Sequence, residues 1–153
     1  MSPKFWVGFT AFTTSTATKT AVKIIGAAAK SWELYETGMY GAGTITPADS
    51  QCQILFAAGT NGGAGTPGSS PTPEKVVQVA AVSGLTAGTG YTAESTTVTT
   101  NQFTLMSFNQ RGGMRWAVPL GMGFMPDATQ LSGFILTAAS VAGRIDGNAF
   151  WNE

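Results

Sequence analysis

No apolar stretch in this chain runs far before a glycine, proline or asparagine interrupts it. The pieces left between the interruptions are rich in Val, Ile, Thr and aromatic residues, which suit strands. Gln51 to Ala58 is the clearest strand, with Cys52, Ile54 and Phe56 on one side and Gln53 and Leu55 on the other. Trp32 to Tyr40 reads as Trp32, Leu34 and Glu36 alternating with Glu33, Tyr35 and Thr37, closed by Gly41-Ala42-Gly43. Val22 and Ile24 favour a strand over the helix that Ala27-Ala28-Ala29 alone would suggest, and Gly26 interrupts. Glu74 to Val82 is a short strand or an extended connection. Strands are expected over Thr92 to Thr100, Phe103 to Phe108, Met114 to Val118, Met122 to Phe124, Leu131 to Ala139 and Gly143 to Trp151, with Gly112-Gly113 and Pro126-Asp127-Ala128 as turns. The pattern is that of an all-β, single-domain β-sandwich or jelly roll of eight to nine short antiparallel strands.

Composition agrees. The chain has 153 residues, enough for one core, and Gly, Ala, Ser and Thr make up nearly half of it. Two segments stand apart. Residues 1–16 read as an aromatic N-terminal arm, leaving 17–153 for the sandwich. Gly59 to Pro73 combines glycines and prolines with hardly an apolar side chain, and reads as a flexible loop or surface arm.

Several function classes lack their chemistry. Charged residues are 10% of the chain and sum to zero, so no basic footprint for nucleic acid is expected. There is no His, which removes His-dependent triads and most catalytic zinc or iron sites. Cys52, the single cysteine, sits in a strand's interior pattern and reads as a small buried hydrophobe. No run is apolar enough for a signal peptide or a membrane span, so synthesis in reducing cytoplasm is expected. Asp146-Gly147-Asn148 lacks the spaced ligands of a calcium loop and reads as a hairpin turn. Asn61 to Gly65 lacks the ending of a phosphate-binding loop. The expectation is a non-enzyme with no catalytic, cofactor or metal residues.

Recognition has two candidates. Arg111 and Arg115, around Gly112-Gly113 and beside Trp116, supply fork-shaped donors and stacking surface. The alternative is a hairpin with solvated arginines and a packed indole. Phe5, Trp6, Phe9 and Phe12 place a large apolar payload within a few residues, and read as a docking element. The alternative is that they close one end of the chain's own sandwich.

The arrangement resembles the small β-sandwich head proteins of tailed bacteriophages. The likeness runs through Lys19-Thr20-Ala21-Val22-Lys23-Ile24-Ile25-Gly26-Ala27, then Trp32-Glu33-Leu34-Tyr35-Glu36-Thr37-Gly38-Met39-Tyr40-Gly41, and Gln53-Ile54-Leu55-Phe56 with its Gly/Pro loop. It continues in Phe108-Asn109-Gln110-Arg111-Gly112-Gly113, Trp116-Ala117-Val118-Pro119-Leu120-Gly121 and the last apolar strands. The aromatic amino terminus and the polar break at Asp146 to Asn148 depart from it. The resemblance implies a virion structural protein on the capsid's outer surface, made in the host cytoplasm, that decorates or cements the shell by bridging major capsid protein subunits. A homo-oligomer, with a trimer favoured, would suit the symmetry of a head; no nucleic acid or membrane partner is implied. Other virion parts (tail, neck or fibre base) and a carbohydrate-binding sandwich adhesin are the alternatives.

Overall fold

The computed structural model describes residues 3–26, 31–41, 51–59, 65–76, 82–94, 98–126, 132–140 and 142–153. Ten strands run through them: β1 (Lys4–Thr13), β2 (Lys19–Ile25), β3 (Glu33–Gly41), β4 (Gln51–Gly59), β5 (Glu74–Lys75), β6 (Thr86–Thr89), β7 (Val98–Asn109), β8 (Met114–Ala117), β9 (Ser132–Ala139) and β10 (Arg144–Asn152). They form two five-stranded sheets, ordered β5-β1-β10-β3-β8 and β6-β2-β9-β4-β7. Every pairing is antiparallel, and no helix occurs among the described residues. The expected all-β sandwich is the fold.

The core lies between the sheets and follows side-chain alternation. In β1, Phe5, Val7 and Phe9 point inward while Trp6 and Gly8 face out. Opposite them in β10, Ile145, Ala149 and Trp151 are buried. The second sheet contributes Ile24, Ile54, Phe56 and Ile135, all almost without exposure, and the buried Cys52. Phe56 of β4 crosses to the first sheet's Trp116, with ring centroids 5.0 Å apart and edge to face, a geometry that aromatic pairs favour.

Two bulges set the register of the first sheet. Between Phe9 and Phe12, β1 carries one residue more than its partner, which moves from Gly147 to Ile145. The extra residue returns Phe12 to the core despite the even spacing from Trp6. Ala11 takes the strain, with φ at +53°, and its N–H donates to Asp146 Oδ1 at 2.7 Å. A second bulge opposes Tyr35 and Glu36 to Phe150. It breaks the simple alternation expected of Trp32 to Tyr40: Leu34, Thr37 and Met39 are buried, and Tyr35 and Glu36 are partly exposed.

The bulges also explain Asp146-Gly147-Asn148, which is not the expected hairpin turn. All three residues lie inside β10, between β1 and β3. Asp146 accepts the N–H of the β1 bulge, and Asn148 Oδ1 accepts the Gly38 N–H at 2.9 Å. Strand-breaking residue types are retained here because they satisfy backbone groups and close packing in neighbouring strands.

The described part of the Gly/Pro segment does not stand off alone. Thr66 and Ser69 form backbone bridges with Ala93 and Thr89. Residues 60–64 lie outside the described residues.

Candidate docking surface

An organised apolar surface follows β8. Glu33, at the start of β3, is only 5% exposed, and its Oε1 accepts the backbone N–H groups of Gly121 and Gly123 at 2.7 and 2.6 Å. Its Oε2 accepts from Asn152 Nδ2 at 3.3 Å. Leu34 and Phe124 exchange both backbone hydrogen bonds at 2.9 Å, and the Phe124 ring packs 5.4 Å from that of Phe56. Upstream, Val118 N–H donates to the Tyr35 carbonyl at 3.0 Å, and Met122 N–H to that of Pro119 at 3.1 Å. Gly121 supplies the left-handed turn, with φ at +89°, which a β-carbon would strain.

A segment held at so many points nevertheless turns Leu120, Met122 and Met125 outward, at 48%, 72% and 53% exposure. Together they form an apolar tip whose backbone is already ordered. Such a surface loses little entropy on docking, and methionine adapts its shape to a partner. Where the sequence predicts a brief strand over Met122 to Phe124, Phe124 alone makes a bridge, to Leu34. The available signal was Leu-Gly-Met-Gly-Phe-Met directly after Pro119, where apolar residues alternate with glycines too small to form an opposite face.

The predicted interface residues divide. Phe5, Phe9 and Phe12 are 0%, 7% and 6% exposed, so they are core residues and the docking expectation is corrected for them. The expected arm is strand β1 from Lys4 onward, paired with β10 over most of its length. Alternation and the bulge turn these three rings inward, and the reading in which they close the chain's own sandwich describes them. Trp6 alone faces out, partly exposed, beside Phe150 at 6.1 Å between centroids. Phe150 is followed by Tyr35 at 6.4 Å, and Lys4 Nζ stands 5.7 Å above the Tyr35 ring.

Arg111 lies exposed in the turn that Asn109 closes by accepting the Gly112 N–H at 2.9 Å. Arg115, in β8, pairs with Glu36 across to β3 at 2.7 Å on the outer face of the first sheet. The hydrogen bond and charge of Glu36 raise its already high pKa. Arg115 is thus an outer-face residue while Arg111 belongs to a turn.

A cleft of about 580 Å³ opens between the second half of β1 and residues 68–69 and 89–92. Thr10, Thr13, Ser69, Thr89 and Thr92 give it a hydroxyl-rich lining, to which Lys19 adds an ammonium group. Among the described residues, no three His, Cys, Asp or Glu side chains gather as a metal-ligand set, and no helix is long and apolar enough to cross a membrane. No protein-family model and no curated protein matches the chain.

Proposed function

We propose that this chain is a non-enzymatic virion structural protein that decorates or cements the assembled capsid of a tailed phage by bridging neighbouring major capsid protein subunits. The observation that carries this reading is the apolar tip at Leu120, Met122 and Met125, ordered from beneath by buried Glu33. An ordered, solvent-facing apolar loop on a small sandwich suits repeated attachment to a fixed lattice. A trimer on a threefold position would present three such tips at once, and simultaneous engagement turns modest contacts into lasting attachment. Binding to assembled shells in preference to free subunits would stabilise the shell by mass action.

The test is occupancy and rupture. Heads assembled with the intact chain should retain it in fixed ratio to the capsid subunit, while Met122→Ser with Met125→Ser should empty those positions. Complete and deficient heads that rupture at the same temperature would remove the cementing role and leave decoration. A chain that never co-purifies with heads would end both readings.

A further inference from the structure

Trp6 and Tyr40 converge on one row of the first sheet's outer face. The row crosses four strands as Gly8, Asn148, Gly38 and Arg115, in β1, β10, β3 and β8. From one side Trp6 leans along its own strand, so that a β-carbon on Gly8 would stand 3.1 Å from its ring. From the other, Tyr40 lies back over Gly38, where a β-carbon would meet the phenol end at 2.5 to 2.9 Å. Glycine at these two points leaves bare backbone as a floor, and each side chain lies along the sheet. Tyr40 keeps 43% of its surface exposed. The two floors are two strand spacings apart, about 9.5 Å.

Asn148 sits between them. Its Oδ1 accepts the Gly38 N–H at 2.9 Å, which orients the amide, because a backbone N–H requires the oxygen. The Nδ2 group is left with two donors that no described protein group accepts. At the end of the row, Arg115 Nε donates to Glu36 Oε1 at 2.7 Å, leaving the other carboxylate oxygen as an acceptor at the rim.

We propose that this row binds a neutral hexose oligosaccharide, with one sugar on Trp6, another on Tyr40 and the intervening hydroxyls on Asn148. A pyranose has an apolar C–H face that stacks on an aromatic ring and a rim of hydroxyls that both donate and accept. The row offers aromatic surface at both ends, amide donors between them and a carboxylate acceptor beside the second. Two floors two strands apart match the reach of short linked sugars. Charge selects the neutral class: the outward register positions of this sheet carry Lys4, Arg115 and Arg144 against Glu36, Glu74 and Asp146, and Arg115 and Glu36 already pair. A sulfated or sialylated chain would find no unbalanced cation there. The site is separate from the apolar tip, so the inference does not depend on capsid attachment.

The experiment titrates the full chain with cellotetraose, maltotetraose and chitotetraose by calorimetry, with heparin tetrasaccharide as the anionic comparison. At least one neutral tetrasaccharide should bind. Tyr40→Ala should weaken that binding by about tenfold or more. Asn148→Asp keeps an oxygen for the Gly38 N–H but removes both amide donors, and should weaken it similarly. Met122→Ser should leave it unchanged, and thermal unfolding of each variant separates lost contacts from lost fold. The proposal is overturned if none of the three neutral sugars binds at millimolar concentration, if heparin tetrasaccharide alone binds, or if folded Tyr40→Ala and Asn148→Asp proteins bind as the parent does.

Discussion

The Glu33 carboxylate accepts the Gly123 N–H at 2.6 Å from a position almost wholly buried. The same oxygen holds Gly121, so one side chain fixes the backbone beneath three exposed apolar residues. Hydrogen bonds to a charged group outweigh neutral ones, and removing their shared acceptor strands two donors. Glu33→Ala should destabilise the fold by about 3 kcal/mol and speed amide exchange at Gly121 and Gly123. Glu33→Gln, which keeps an acceptor oxygen, should fall between. Denaturant unfolding with site-resolved exchange measures both, and unchanged exchange at the two glycines in Glu33→Ala would show that the tip is held by other means.

Leu120, Met122 and Met125 contribute surface and little stability. Replacing Met122 and Met125 by Ser should change unfolding free energy by less than about 0.5 kcal/mol each, while reducing retention on heads. A large loss of stability would instead mark the tip as part of the fold.

Phe5 and Trp6 are neighbours with opposite fates. Phe5→Ala empties a fully buried position against Trp151, whose ring centroid is 6.2 Å away, and should cost about 3 to 5 kcal/mol. Trp6→Ala should cost clearly less. Deleting residues 1–12 should abolish cooperative unfolding, because β10 loses one of its two partners and the core loses Phe5, Val7, Phe9 and Phe12; a truncated chain with a parental melting curve would restore the detachable arm.

Stability at alkaline pH should turn on tyrosine. Burial first, then the charge of Glu94, raises the Tyr91 pKa above its ordinary 10.0. The unfolded chain therefore loses this proton first, and the contribution is intact below pH 10.0 and lost as pH climbs through the folded value. Tyr35, raised by burial and Glu36, acts in the same sense. Lys23, lowered by burial, acts oppositely, since its desolvation penalty is relieved as pH rises towards its ordinary 10.5. Urea midpoints from about pH 8 to about pH 11 should fall less steeply for Tyr91→Phe than for the parent. Identical slopes would exclude Tyr91 as a source of the fall.

The sandwich was legible because punctuation and β-branched residues report strands locally. β2, β4, β9 and β10 lie where alternation or apolar runs put them, and Cys52 is buried as its strand pattern implied. What escaped was decided across strands. Asp146 and Asn148 look like turn residues until the Ala11 bulge and the Gly38 N–H stand beside them. Phe5, Phe9 and Phe12 form a surface cluster in one dimension; alternation turns Phe5 and Phe9 inward, and a single inserted residue brings Phe12 to the same side. The apolar tip depends on a carboxylate 88 residues from Gly121, a separation over which local pattern carries no information. The aromatic row depends on glycines that a sequence reader takes for interruptions.

The pairing of β1 with β10, from Lys4 opposite Asn152 to Thr13 opposite Arg144, imposes an order on biosynthesis. The second sheet has all its strands once β9 has been translated, but β1 gains its long partner only when β10 has followed. Until then its partner in its own sheet is the two-residue β5, opposite Phe5 and Trp6, and the rest of β1, with Val7, Phe9 and Phe12, stays an unpaired apolar edge. Closing that long loop makes late, non-local assembly the slow step of folding. A chaperone that shields β1 until β10 has been made should therefore raise the yield of folded chains more than one that binds the second sheet.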